Sequence, residues 1–185
     1  MNRSAQIILL NGVGSSGKSS IAKELQKITD KPFLHIQMDH FCAMLPEALQ
    51  EHPDGFAFEE TFGNGGPAIV VRTGPIGERL LRGMRHAIAA MAAQGNSLIV
   101  DDVLLENEHE DYSALLSGFE TFFIGVFAPL ETLEARERNR GDRLIGLARW
   151  QFDRVHHGKK YDLEIDSGSL NPLECATLIK QKFQL

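Results

Sequence analysis

Apolar and polar positions divide this chain into short continuous apolar runs and longer stretches of helical spacing. Gln6 to Asn11 is an apolar run of strand length. A Gly/Ser turn follows, and then Ser20 to Ile28 places Ile21, Ala22, Leu25 and Ile28 on one helical face. Phe33 to Met38 predicts a second strand ending at Asp39. His40 to Leu45 predicts a short helix stopped by Pro46. From Ile76 to Gln94 the period becomes helical, with Ile76, Leu80, Met84, Ile88 and Met91 on one stripe and Gly95 placed to end it. Ser97 to Val100 predicts a third strand running into Asp101 and Asp102. A helix over about Glu108 to Leu116 follows, and then a fully apolar fourth strand over Thr121 to Phe127. Pro129 opens a helix from Leu130 to Arg140, and Gly141 and Gly146 break it. A further helix over about Leu147 to His156 ends at Gly158. Tyr161 to Asp166 alternates as a fifth strand. Asn171, Pro172 and Glu174 carry the cap, first-turn proline and capping-box acid of a last helix.

Residues 46–77 are the least regular part, punctuated by Pro53, Pro67 and Pro75 and by several glycines. Phe56 to Phe58 and Ala68 to Val71 read as two short strands of a hairpin, and Phe56, Phe58 and Phe62 predict a packed pocket wall. An irregular insertion of this length is usually functional. Five strands alternating with helices predict one α/β domain over residues 1–185, a three-layer sandwich with a five-stranded parallel sheet and helices on both faces. Ligands in such sheets bind at the carboxyl ends of the strands. Here those ends carry Gly12 to Ser19, Asp39, Asp101 with Asp102, and Asp166 with Ser167. His35, inside the second strand, reads as a core or interlayer histidine rather than a ligand.

Composition narrows the partners. The chain has 185 residues, 43% of them hydrophobic and 24% charged, with a net charge of −6, so it lacks the broad basic footprint of a polynucleotide binder. Cys42 and Cys175 are too few and too far apart for a disulfide framework or a metal cluster, and read as reduced thiols in a cytoplasmic protein. No apolar run reaches the length of a membrane span, and no signal peptide precedes the first strand. Neither nucleic acid nor membrane is expected as a partner; a homo-oligomeric state is left open.

The chemistry concentrates at Gly12-Val13-Gly14-Ser15-Ser16-Gly17-Lys18-Ser19, which fits G-x-x-x-x-G-K-[ST] between a strand and a helix. Gly12, Gly14 and Gly17 let backbone N–H groups turn inward toward phosphates, and the following helix aims its positive end at the same place. Ser15, Ser16 and Ser20 complete the expected nucleotide contacts. Lys18 is expected at the β/γ-phosphates, and the Ser19 hydroxyl on Mg²⁺. Asp101 or Asp102, at the end of an apolar strand, supplies the metal's carboxylate; the sequence does not say which. Asp39 is placed either to deprotonate an attacking hydroxyl or to cap the helix over residues 40–45. Arg136, Arg138, Arg140 and Arg143 cluster around Gly141, and the segment 136–150 reads as a closing lid. Arg140 and Arg143 are the expected phosphate or base contacts, with Arg136 beside the nucleotide. Arg138 is expected to pair with Glu134. No Asn-Lys-x-Asp guanine-reading motif occurs.

Across Ile8 to Gly12, Ser15 to Ser19, Asp39, Ile99 to Val103, Arg140-Gly141-Asp142-Arg143, Gly146, and Val155-His156 with Gly158 and Tyr161 to Asp166, the chain resembles the chloramphenicol phosphotransferase family of P-loop kinases. The resemblance implies the kinase-type P-loop fold and transfer of the γ-phosphoryl group of ATP, with Mg²⁺, to a hydroxyl of a small molecule. It also implies that Asp39 acts as general base, assisted by the lid arginines. Residues 46–77 depart from the family pattern and are expected to cover and shape the acceptor pocket. Two other readings fit the same residues: a metabolite or nucleotide-sugar kinase of shikimate-kinase or zeta-toxin type, and an ATP-binding switch with little turnover.

Overall fold

The structure, a computed structural model, describes all residues except 1–4, 64, 65, 142 and 143. Its centre is β1 (Gln6–Asn11), flanked by β5 (Ser97–Asp102) and β6 (Glu120–Phe127). Outside these lie β2 (Phe33–Gln37) and β7 (Leu163–Asp166), in the order β2-β5-β1-β6-β7, with every pairing parallel. A parallel strand at the centre is covered on both faces, which is why β1 is a continuous apolar run. Ile8 and Leu10 join Ile99, Ile124 and Val126 beneath α1 (Lys18–Ile28) and α7 (Pro172–Phe183). Ile7 and Leu9 join Leu98 and Val100 beneath α3 (Pro75–Ala93) and α4 (Glu108–Leu115). The α/β architecture and the five parallel strands are those the sequence predicts.

Beyond the sheet's carboxyl edge stand α2 (Met38–Cys42), α5 (Leu130–Arg140) and α6 (Leu147–Phe152). A third apolar cluster of Val13, Leu133, Ala148 and Val155 seats the last two helices against the loop after β1. Gly141 (φ 70°) and Gly146 (φ 102°) take left-handed conformations where the helical pattern breaks. Helix α6 is shorter than the stretch to His156 predicted.

Residues 46–77 are more regular than their composition suggests. β3 (Phe56–Gly63) and β4 (Gly66–Thr73) form an antiparallel hairpin of two eight-residue strands, apart from the main sheet. Among its described residues only Ala68 and Ile69 are buried. The hairpin docks on α6 through Ile69 N–H, which donates to Gly146 C=O at 3.1 Å. The expected phenylalanine wall is not packed: Phe58 is exposed and Phe62 is 84% exposed.

Candidate active site

The loop after β1 is pressed onto the neighbouring strand. A Cβ at Gly12 would lie 2.5 Å from Val126 O, so only glycine lets the loop leave the sheet here. Gly17 (φ 91°) brings the chain into α1, whose first turn holds no acidic residue and no side-chain cap. Its first N–H groups are thus left for an anion. Ser16 Oγ is buried in the loop without a hydrogen-bond partner among the described residues, a polar group awaiting a ligand.

Lys18 folds back over the loop and donates from Nζ to the carbonyls of Gly12 at 2.8 Å and Val13 at 3.1 Å. Asp101 Oδ1 is 4.0 Å from the same ammonium, and Ser19 Oγ donates to Asp101 Oδ2 at 2.5 Å. His35, read from sequence as a core or interlayer histidine, has a buried side chain and borders this cluster, with Nε2 3.6 Å from Asp101 Oδ2. Burial would raise the Asp101 pKa, but the proximity of His35, the Lys18 charge and the Ser19 bond outweigh it and hold this carboxyl below its ordinary value. The carboxylate therefore stays ionised beside a serine hydroxyl, a donor set suited to a hard cation.

Asp102, one residue on, points to the other face of the sheet. Tyr112 Oη donates to its Oδ2 at 2.8 Å and Val103 N–H to its Oδ1 at 2.8 Å. Burial, opposed by these two bonds, pushes its pKa up to about 6. The two acids, equivalent in the sequence, are thus separated: only Asp101 meets Ser19. Among the described residues no group of three or more His, Cys, Asp or Glu forms a metal cage. Mg²⁺ needs none, because it usually takes one or two carboxylates together with phosphate oxygens.

On one side of the loop, Ser15, Ser16, Gly17, Ser20, Arg136 and Arg140 line a cleft of about 410 Å³. Arg136 is steadied there by Ser167, donating to its carbonyl at 2.7 Å, while Ser167 Oγ donates to Ser16 C=O at 2.7 Å. The loop, the end of β7 and α5 are thereby tied together. Arg143 lies outside the described residues. Glu134 pairs with Arg149 rather than with the expected Arg138.

Asp39 lies two residues beyond Gln37, whose partner in the sheet is Asp101. It sits inside the first turn of α2, with Gln37 at the N-cap position. The capping alternative for Asp39 is therefore overturned, because the helix begins at Met38, two residues before the expected His40, and Gln37 stands at its N-cap.

The residues from 155 to 162 fasten the base of the loop. Buried Asn11 donates from Nδ2 to Val155 C=O at 3.0 Å and to Tyr161 Oη at 2.7 Å, and Leu104 N–H donates to its Oδ1 at 2.8 Å. Tyr161 Oη also lies 2.8 Å from His156 Nδ1, so that Asn11, Tyr161 and His156 form one chain of contacts. His156 stacks on Phe127 at 3.8 Å. Burial, followed by the Lys18 and Lys159 charges, pulls its pKa down to about 4.

Two site residues carry no motif signal. Glu137 is buried and takes Gly146 N–H on Oε2 and Ala148 N–H on Oε1, each at 2.8 Å. Gln151, buried on α6, accepts from Gly14 N–H at 2.7 Å.

Comparison with known proteins agrees with this geometry. A family model described as chloramphenicol phosphotransferase-like protein matches residues 5–184. A protein provisionally named O-phosphotransferase, present in two strains of Mycobacterium tuberculosis, is 29% identical over 185 residues, spanning 97% of this chain and 82% of the relative. A sugar kinase from Janibacter superposes with a TM-score of 0.67 at 18% identity, covering 98% of this chain and 95% of its own. The APS kinase of M. tuberculosis, solved with AMPPNP and APS, gives 0.67 at 17% identity, covering 99% of each chain. A gluconokinase from Sinorhizobium meliloti gives 0.62 at 15% identity over 98% and 97%. At these identities the three solved structures share the fold. Among the described residues no helix is long and apolar enough to cross a membrane.

Proposed function

The chain belongs to the chloramphenicol phosphotransferase-like family, and from that premise we propose that it transfers the γ-phosphoryl group of ATP to a hydroxyl of a small-molecule alcohol. That it is a kinase acting on a hydroxyl follows from the family. The finer assignments are our reading of the site. The observation that carries them is the constellation of Lys18, Ser19 and Asp101 beside the turn, one strand from Asp39.

In this reading the N–H groups from Gly12 to Ser20 hold the phosphates, and Lys18 exchanges part of its hold on Gly12 and Val13 for β/γ oxygens. Ser19 and Asp101 hold Mg²⁺, which when bound neutralises charge on the phosphates; Asp102 is left to Tyr112. The cleft beside Arg136 takes the base and sugar. Arg140 and Arg143 close as a lid over residues 136–150 and offer charge to the transferring group. Asp39 accepts the proton of the attacking hydroxyl, and the 46–77 segment, with its hairpin, sets which alcohol enters. A small alcohol of the chloramphenicol kind is the first acceptor to try, in a cytoplasmic setting.

Asp39→Asn tests the assignment, because the amide keeps the size and cannot take the proton. With Mg-ATP and chloramphenicol, then a panel of small alcohols, the wild-type chain should yield a phosphorylated alcohol by mass spectrometry. The variant should transfer at least about a hundredfold more slowly in single turnover, with its melting temperature little changed. Transfer within a few-fold of wild type would show that the hydroxyl is activated elsewhere.

A further inference from the structure

Gln151 stands outside the motif yet reaches into it. Its Oε1 is 2.7 Å from Gly14 N, and a Cβ on Gly14 would come within 3.2 Å of the same oxygen. A backbone N–H can only donate, so the oxygen end of the amide faces the loop and the NH₂ end faces away from Gly14. The location is informative. Lys18 Nζ rests on the carbonyls of Gly12 and Val13, which makes this leading arm of the loop the end that meets the last phosphates; Gly14 is the next residue. Ser15, Ser16, Gly17 and Ser20, further along, line the cleft with Arg136 and Arg140. The loop thus has a base side and a transfer side, and Gln151 is on the transfer side. It is held there rigidly, because the Glu137 carboxylate takes two N–H groups at the start of α6, and β4 is bonded to Gly146.

An N–H of an anion-binding loop satisfied by a neutral carbonyl is a replaceable bond, because a phosphate oxygen is the stronger acceptor. Resting on the reading of this loop as an ATP site, we propose that Gln151 is a positioning residue that distinguishes a nucleotide with a third phosphate from one without. Its carbonyl keeps Gly14 N–H paired until an oxygen of the γ-phosphate takes that N–H, and its NH₂ then donates to the same phosphate. ADP leaves the Gln151–Gly14 bond in place. A residue that merely anchored α6 would affect both nucleotides alike.

The experiment is calorimetric binding of Mg-ADP and Mg-AMPPNP to the full chain, as wild type, Gln151→Met and Gln151→Glu, with melting curves for each. Wild type should bind both. Gln151→Met keeps the length without the hydrogen bonds; ADP affinity should stay within about twofold and AMPPNP affinity fall about tenfold, the size of one hydrogen bond to a charged group. Gln151→Glu still accepts from Gly14 but brings a negative charge against the phosphate, so its AMPPNP loss should exceed that of Gln151→Met. It also serves if the methionine variant folds poorly. Equal shifts for the two nucleotides in both variants, or no shift in either, overturn the proposal while leaving the ATP site standing. Failure of the wild-type chain to bind either nucleotide overturns the site and the proposal together.

Discussion

Replacing Glu137 with Ala should unfasten α6 from α5 and lower stability by about 2–4 kcal/mol. Glu137 is 2% exposed, and its two oxygens take the N–H groups of Gly146 and Ala148 at 2.8 Å each. Helix α6 has no side-chain cap from its own N-cap residue, Gly146, so this carboxylate serves in its place. Truncation leaves two buried donors unpaired at about 1–3 kcal/mol each, partly offset by water entering the gap and by removal of a buried charge. Glu137→Gln keeps the shape but has one acceptor oxygen and no charge, so roughly half the loss is expected. Urea denaturation at neutral pH measures the total. Hydrogen exchange localises it: the amides of Gly146 and Ala148 should exchange faster, and with them Ile69, whose N–H rests on Gly146 C=O. An alanine variant within about 0.5 kcal/mol of wild type, with unchanged exchange at these amides, would refute the argument, since that is smaller than a single lost buried bond.

Gly146→Ala should destabilise by about 1–2 kcal/mol or more, because φ is 102° and a Cβ would lie 3.0 Å from Ala68 Cα; thermal melting checks it. Lys18→Ala should leave the protein folded and abolish phosphoryl transfer at saturating ATP. Arg140→Lys should lower kcat more than ATP affinity, because a planar fork is exchanged for a point charge; equal activity would return Arg140 to an ordinary helix end. His156, with its pKa drawn from 6.5 to about 4, favours the fold only while neutral. Its contribution is complete above 6.5 and is lost as pH falls toward 4; the site is half-buried, so solvent screening trims it to about 1–2 kcal/mol. Urea midpoints at neutral and mildly acidic pH should show this slope in wild type and lose it in His156→Gln.

The parallel sheet was legible because its strands carry their own signature: β1, β5 and the Ile124–Val126 stretch of β6 are buried, and their cores read as short continuous apolar runs. The hairpin was under-read for the opposite reason. Glu59, Glu60 and Phe62 are all exposed, so β3 has no dry face whose alternation could mark its length. Lys18 and Ser19 could be singled out because the motif fixes their spacing, and the structure brings both to Asp101. Asp101 could not be told from Asp102 until the sheet showed that Ile99 faces α1 while Val100 faces α3. Glu137 and Gln151 left no trace, because a single polar residue acquires its role from partners distant in sequence: Gln151 and Gly14 are 137 residues apart.

The hairpin has a consequence for how such a protein can diversify. A two-stranded ribbon is marginal by itself in water. This one borrows its order from its attachments, Ile69 with Ala68 on Gly146, and, at its base, Ile76 N–H of α3 on Asp54 C=O at 2.9 Å. The ribbon is therefore an exchangeable cassette. Its outward residues can drift, lengthen or be replaced while Ala68, Ile69 and Gly146 are kept, and the carboxyl edge of the main sheet need not change with them. On the proposed role of the ribbon in choosing the alcohol, new acceptor preferences would arise by rewriting one ribbon while the proposed phosphate site is inherited intact.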